Sequence, residues 1–162
     1  MKTFIASMAL VLMLPSASYA QALPIDGLTP PFPSERAQTI ANAVSWGTVG
    51  AAMALDFADA WRSHPNDRAH AVQLFAVRAF VNVVAATTVK GLTDRLRPDG
   101  SDRQSHYSQH AAHAFSTMGG ARLSFVLPLA VTSGGLRIGA KKHYLTDVLA
   151  GAAVGALTSR IR

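Results

Sequence analysis

Long, alanine-rich apolar stretches separated by short polar breaks are the feature of this sequence that most restricts its fold. The three longest stretches cover residues 36–61, 67–96 and 108–127. None of them has the strict apolar–polar alternation expected of a half-buried strand. The sequence therefore predicts an all-α protein, a compact bundle of four to five helices.

Proline, glycine and short polar residues set the predicted helix boundaries. The helices are expected at Arg36 to about Trp61, Asp67 to Leu96, about Ser108 to Leu127, and about His143 to Arg160. Pro98 stops the second helix, and Pro128 kinks or ends the third. The segment "TSGG", residues 132–135, is expected to be a further break. In the last helix, Gly151 and Gly155 lie four apart among alanines and predict close packing against another helix.

The first residues have the pattern of a secretory signal peptide. A basic start and an apolar run over residues 4–14 lead to a small-residue site at Ala20. We therefore expect a signal peptide over residues 1–20, with cleavage after Ala20 or, alternatively, after Ala22. The competing interpretation is an uncleaved N-terminal membrane anchor.

The segment between this leader and the first helix, residues 21–35, carries four prolines and predicts a linker or an extended arm. The helical domain would then be residues 36–162. The expected compartment is the periplasm or the exterior of the cell, with membrane association left open. The chain has no cysteine, which excludes disulfides, a cysteine nucleophile and a zinc–thiolate site.

Charge and hydropathy restrict the partners. The formal net charge of +6 suits phosphates or anionic lipid, and the sequence has no recognisable nucleic-acid-binding module. Residues 70–89 are long enough to cross a bilayer, but Arg78 lies in their middle and Asp56 lies similarly in the first helix. A central charge costs about 2.5–3.5 kcal/mol on insertion scales. A soluble or peripherally attached bundle is therefore favoured over an integral membrane protein.

Three groups of polar residues are candidates for chemistry. The first group is Lys90, Arg95 and Arg97, just before Pro98. Lys90 and Arg97 are two helical turns apart and could hold one anion from two sides, or could belong to a solvated face in which Lys90 pairs with Asp94. In the second, Ser108 and His110 lie where a loop becomes a helix, and backbone N–H groups at a helix start favour anions. A metal site of His106, His110 and His113 and a simple polar turn are the alternatives there.

The third group lies near the start of the last predicted helix. Arg137 precedes His143 by six residues, and Asp147 follows it by four. On a helix, positions i and i+4 stack, so Asp147 could accept from one imidazole nitrogen and leave the other free to attack. A helix start with a surface ion pair is the alternative.

The order of these groups, Lys-x6-Arg-Pro, Ser-x-His and Arg-x5-His-x3-Asp, resembles the type 2 phosphatidic-acid phosphatase superfamily. This superfamily also contains bacterial class A acid phosphatases and vanadium haloperoxidases. The resemblance covers about residues 85–157, and the segment "HYLTDVLAGAAVG" follows the family pattern most closely. It implies a helical phosphatase-like domain that acts on a phosphorylated small molecule or a lipid phosphate.

The resemblance implies a role for each matching residue. His143 would attack phosphorus to give a phosphohistidine, Asp147 would orient it, and His110 would protonate the leaving alcohol and then activate water. The implied phosphate-binding residues are Lys90, Arg97, Ser108 and Arg137. The phosphatase members need no metal or other cofactor, so we expect none, and His106 and His113 would be bystanders.

Two positions depart from the family pattern: Gln109 stands where glycine is usual, and Leu136 stands where serine is usual. The sequence predicts an exported, metal-independent phosphatase. A non-catalytic member that binds phosphate or anionic lipid is the alternative, because the Gln109 side chain could crowd the phosphate. A vanadate-dependent haloperoxidase is disfavoured by the short chain.

Overall fold

The described part of the chain is all-helical, which confirms the predicted bundle. The computed structural model describes residues 23–119 and 123–161, and the predicted signal peptide lies outside them. Among these residues there are five α-helices and two short 3-10 turns, and no strand. The helices are α1 (Glu35–Ser63), α2 (Arg68–Thr93), α3 (Gln109–Ser116), α4 (Leu123–Gly139) and α5 (Leu145–Thr158).

Short polar residues begin the two long helices. The Ser34 hydroxyl accepts a hydrogen bond from the Ala37 N–H at 3.2 Å, and the Asp67 carboxylate accepts one from the His70 N–H at 2.9 Å. Such N-caps satisfy donors that the first helical turn leaves without partners. The helix predicted to reach Leu96 ends earlier, because Asp94 adopts a left-handed conformation with φ of 46°.

The predicted extent of the third helix was wrong, and the structure has no break at the "TSGG" segment. Helix α3 ends at Ser116, a 3-10 turn follows at Thr117–Gly119, and α4 begins at Leu123. Helix α4 then continues through Pro128 and through both glycines of "TSGG". A Cβ on Gly134 would lie 2.7 Å from Cγ1 of Val148, so this glycine permits close packing of α5 rather than ending a helix.

The short helix α3 lies at the centre, in contact with the four other helices. Around it, α1 contacts α2 and α4, and α5 contacts the same two helices from the other side. A Cβ on Gly151 would lie 2.3 Å from the backbone oxygen of Ser108, and one on Gly155 would lie 2.4 Å from that of Ala112. The predicted close packing of these two glycines is therefore confirmed, with α3 as the partner.

The proline-rich segment is an arm that lies against the start of α5. It contains the 3-10 turn Pro24–Leu28, in which Asp26 is buried. The Asp26 carboxylate accepts hydrogen bonds from the backbone N–H of Thr146 at 3.0 Å and from its hydroxyl at 2.9 Å. Further along the arm, the Phe32 N–H donates to the Gly139 carbonyl at 2.9 Å. These contacts join residues before α1 to both α4 and α5.

Candidate active site

The three groups of polar residues from the sequence meet at one end of the bundle. Helices α2 and α4 end there, and α3 and α5 begin there. His143 lies in the short loop between α4 and α5, and its side chain is almost fully buried. The fold thus assembles this end from two stretches of the chain, residues 90–110 and 137–147.

A backbone carbonyl fixes the proton of His143. The Nδ1 atom of His143 lies 2.7 Å from the carbonyl oxygen of Ser105. A carbonyl oxygen can only accept, so Nδ1 must carry the hydrogen. In the neutral imidazole, Nε2 then carries the lone pair. The loop geometry therefore leaves Nε2 as the ring nitrogen with a free lone pair.

Three cations lie close to His143 and to His110. Burial lowers the pKa of His143 well below its ordinary value, and the charges of Arg137, Arg97 and Lys90 lower it further. Burial also lowers the pKa of His110 to about 3, again with contributions from Arg137, Lys90 and Arg97. Both imidazoles are therefore neutral at physiological pH, and the same three positive charges act on each of them.

The cations have few anionic partners. The Arg137 side chain is buried, and its Nη1 donates to the amide oxygen of Asn42, a neutral group. Its Nε has no hydrogen-bond partner among the described residues. Arg97 donates from Nε to the Asp102 carboxylate at 2.6 Å. A buried cation without a counterion is costly, so this end of the bundle favours an added anion.

Arg97 reaches the cluster by a different route from the one predicted. The sequence suggested that Lys90 and Arg97 share a helical face, but α2 ends at Thr93. A turn replaces the missing helix: the Arg97 N–H donates to the Asp102 carbonyl at 2.9 Å, and the Gly100 N–H donates to the Arg97 carbonyl at 3.0 Å. The loop after α2 therefore returns Arg97 toward the two histidines.

His110 lies in the first turn of α3, with one ring nitrogen unsatisfied. The indole of Trp46 packs edge-on against it, with ring centroids 4.0 Å apart. Its Nε2 is buried and has no hydrogen-bond partner among residues 23–119 and 123–161. Ser108 caps the same helix, and its hydroxyl accepts from the Ala111 N–H at 3.4 Å. A buried nitrogen without a partner is one that a ligand oxygen could satisfy.

The position of Asp147 differs from the sequence expectation. Its nearest carboxylate oxygen lies 3.9 Å from Nδ1 of His143, beyond hydrogen-bond distance. The expected i, i+4 stacking does not occur because His143 precedes α5, which begins at Leu145. The Ser105 carbonyl takes the hydrogen bond that the sequence assigned to Asp147.

Asp147 instead forms the centre of a buried polar network beneath His143. It accepts hydrogen bonds from Arg95 at 2.5 Å, from the Ser105 hydroxyl at 2.5 Å and from the Tyr144 N–H at 2.9 Å. The Nδ1 atom of His106 lies 3.1 Å from it. Because Ser105 also contacts His143, Asp147 positions this histidine through an intermediate residue.

Sequence reasoning missed most of this network. Arg95 is fully buried between two carboxylates, Asp147 and Asp26, and lies 2.7 Å from the second. Arg95 lies just after α2, among the basic residues of the first polar group. The sequence therefore showed a basic residue there but did not indicate its role. Ser105 and His106 stand just before the Ser-x-His group and carry no spacing signal of their own. Asp26 lies in the arm, where nothing in the sequence connects it to the site.

The three histidines of residues 106–113 have different partners. His106 contacts Asp147, His110 packs against Trp46, and Nε2 of His113 lies 3.3 Å from the amide nitrogen of Gln109. Over the part of the chain that is described, no group of three or more histidine or carboxylate side chains is arranged to hold a metal ion. His106 is not a bystander, since it contacts the network that supports His143.

A cavity of about 410 Å³ opens beside His143. The arm contributes Pro30 and Pro31 to its wall, which also includes Pro98 and Tyr144. Its volume lies in the usual range of small-molecule sites. The arm therefore shapes the surroundings of the candidate nucleophile.

Together, these residues place two neutral imidazoles close to the same three cations. A tetrahedral anion could be held by the cations while one imidazole attacks and the other exchanges a proton. No protein-family model, curated protein or solved structure matches this chain.

Proposed function

We propose that the protein is an exported, metal-independent phosphatase that hydrolyses phosphomonoesters or lipid phosphates and diphosphates through a phosphohistidine. The observation that carries this proposal is the hydrogen bond from Nδ1 of His143 to the Ser105 carbonyl. It leaves the Nε2 lone pair available beside Lys90, Arg97 and Arg137. The resemblance of the three sequence groups to the phosphatidic-acid phosphatase superfamily supports the same reaction.

In the first step, the lone pair on Nε2 of His143 forms a bond to phosphorus, and the bond from phosphorus to the ester oxygen breaks. The electron pair of that bond goes to the leaving oxygen, which takes a proton from His110. Arg137, Arg97 and Lys90 stabilise the negative charge on the phosphoryl oxygens as the transition state forms. The products are an alcohol and a phosphohistidine.

In the second step, His110 accepts a proton from water, and the water oxygen attacks phosphorus. The phosphorus–nitrogen bond breaks, and its electrons return to Nε2 of His143. Inorganic phosphate leaves, and His110 is again protonated. One histidine is thus the nucleophile and the other is the acid and base, with no metal in either step.

His110 must gain a proton when substrate binds, because burial and the neighbouring cations lower its pKa to about 3. A phosphate group carries negative charge into the cluster and offsets Lys90, Arg97 and Arg137. An opposite charge within a few ångströms favours the protonated imidazole. The substrate itself therefore prepares the acid.

The second candidate function is a binding protein for phosphate or anionic lipid, and Gln109 is the residue that favours it. Glycine at this position would let the backbone approach a phosphate closely. The Gln109 amide lies within hydrogen-bond distance of His113, one turn further along α3. A binding protein would use the same cations but would release the anion unchanged.

Hydrolysis of an aryl phosphate by the mature protein in the presence of EDTA separates these functions. We expect turnover by the wild type and none by His143→Ala. The His70→Ala variant is the matched control, since His70 lies in the first turn of α2, at the opposite end of that helix from Lys90. Activity that persists in His143→Ala, or that EDTA removes, would contradict the proposal. Phosphate binding without turnover would support the binding protein instead.

A further inference from the structure

The described part of the bundle has an unusual distribution of side chains: many bulky apolar residues face outward, while the buried residues are mainly alanine, valine and polar residues. Phe80 on α2 is 67% exposed, and Trp46 on α1 and Phe125 on α4 are each 63% exposed. In the interior, Ser45, Asn82 and Thr158 are fully buried. A water-soluble bundle has the opposite arrangement.

The exposed apolar side chains form a band around the bundle. We use the name apolar band for this surface, represented by Val44, Trp46, Phe80, Val84, Phe125 and Val131, all of them exposed. These residues lie on three of the four helices that surround α3, and α2 and α4 do not flank each other. A single contact with a second copy of the chain would cover one side of the band and leave the others in water.

The height of the band is close to the thickness of a bilayer. On α2, the charged residues at the two ends are Arg68 and Lys90, which are about 33 Å apart along a helix. The hydrocarbon core of a typical bilayer is about 30 Å thick. Between these ends, Arg78 is the only charged residue of α2.

Arg78 does not face outward. Its guanidinium lies 3.4 Å from the Asp56 carboxylate of α1, and both side chains are buried. It also donates to the Ile161 carbonyl at 2.9 Å. Charged residues within membrane proteins face the bundle interior and pair with one another. The two charges that argued against a membrane protein from sequence are therefore satisfied inside the bundle.

The burial of α2 also distinguishes a membrane helix from a soluble core helix. Over the described residues, α2 is the one helix that is long and apolar enough to cross a membrane. Only 22% of its most apolar 18-residue segment is buried. A core helix of a soluble protein with the same composition would be mostly buried. Helices α4 and α5 are apolar but shorter.

We propose that the apolar band lies in the hydrocarbon of a lipid bilayer, with α2 crossing it and the candidate active site at one membrane surface. Trp61 lies near the other surface, beside Arg68, whose guanidinium lies 4.5 Å above its ring. Tryptophan and arginine are common at membrane interfaces. This arrangement replaces the soluble or peripheral bundle favoured by the sequence, and it does not depend on the phosphatase reaction.

The first test is fractionation of the full chain after expression. We expect the wild type and the inactive His143→Ala variant to stay with membranes through washes in high salt and alkaline carbonate, and to be released by detergent. Release by salt, or recovery as a soluble dimer, would contradict insertion. Because the inactive variant is expected to insert equally, failure here is distinct from failure of the proposed catalysis.

The second test separates insertion of the bundle from anchoring by the N-terminal segment alone. The chain has two tryptophans, Trp46 and Trp61, so single-tryptophan variants are simple to make. One variant combines Phe80→Trp with Trp46→Phe and Trp61→Phe, and its control carries Trp46→Phe alone and retains Trp61. Both are reconstituted with lipids brominated at different depths of the acyl chain.

The Phe80→Trp variant should lose most fluorescence to bromine near the middle of the bilayer. The control should lose most to bromine nearest the headgroups, because Trp61 lies beyond the charged Asp59, near the end of α1. Equal quenching of the two variants at every depth, or no quenching of the Phe80→Trp variant, would overturn the proposal.

Discussion

Two buried arginines, Arg95 and Arg137, lie at one end of this bundle and differ in how their charge is balanced. Arg95 is fully buried between the carboxylates of Asp26 and Asp147, at 2.7 and 2.5 Å. Arg137 is also buried, but its Nη1 contacts the neutral Asn42 and its Nε has no hydrogen-bond partner among the described residues. Charge balance therefore distinguishes a cation that supports the fold from one that, in the proposed function, binds the phosphate.

The largest effect on stability is expected from Arg95→Met. It would leave Asp26 and Asp147 buried without their cation, and breaking a buried pair in this way costs about 3–5 kcal/mol. The matched variant Arg137→Met removes a cation that has no carboxylate partner, so its free energy of unfolding should change little. The proposed activity should instead fall about 10²–10³-fold, the cost of losing one preorganised donor. Equal destabilisation by the two variants in thermal unfolding would show that the comparison is wrong.

A smaller effect is expected where α5 packs on α3 beneath the site. Leucine at Gly151 would overlap the Ser108 carbonyl, and overpacking of this kind costs about 1–3 kcal/mol. Gly135 is the control, because a Cβ there would meet nothing within 4 Å. We expect Gly151→Leu to lower the melting temperature and Gly135→Leu to leave it unchanged or raise it. An unchanged melting temperature for both would argue against the close contact.

Acid should destabilise the folded protein, because it protonates the two neutral histidines that lie beside the three cations. Burial and the nearby cations lower the folded-state pKa of His110 and of His143 below the unfolded value of about 6.5. The unfolded chain therefore binds more protons, and stability present above about pH 6.5 is lost as the pH falls toward the folded-state values. Unfolding measured between about pH 7.5 and 5 tests this. His110→Gln should reduce the loss, and a flat profile for the wild type would contradict it.

The smallest effect is expected for an ion pair of the same chemistry at the surface. Arg103 and Asp94 are 3.0 Å apart, but both side chains are largely exposed. Exposed pairs contribute about 0–1 kcal/mol because water and salt screen them. Arg103→Ala should therefore cost far less than Arg95→Met in the same assay. A cost comparable to that of Arg95→Met would mean that burial does not explain the difference between the two arginines.

The all-α fold was predictable because helix formation depends mainly on local composition. Some helix boundaries were not predictable, because they depend on contacts with residues distant in sequence. The absence of strand alternation correctly predicted an all-α bundle. The "TSGG" segment looked like a break, yet Gly134 lies within a helix. Its missing side chain makes room for Val148 from another helix. That contact has no signature in the sequence near residue 134.

The candidate site, too, was predictable only in part. The resemblance of the three polar groups to a known phosphatase superfamily indicated His143, His110 and the three cations, which the fold brings together. The partner of His143 could not be found, because it is the backbone carbonyl of Ser105 and any residue type can supply one. Asp26 was missed because only the folded arm brings it to Arg95.

The most direct test of the proposed mechanism is to identify the atom that carries phosphate during turnover. Protein mixed with substrate would be quenched rapidly in alkali, which preserves phosphohistidine, then digested and examined by mass spectrometry and phosphorus NMR. The hydrogen bond from Nδ1 to the Ser105 carbonyl predicts phosphate on Nε2 of His143, and none in the His143→Ala variant. Phosphate on His110, phosphate on Nδ1, or active turnover with no phosphohistidine at all would contradict the mechanism.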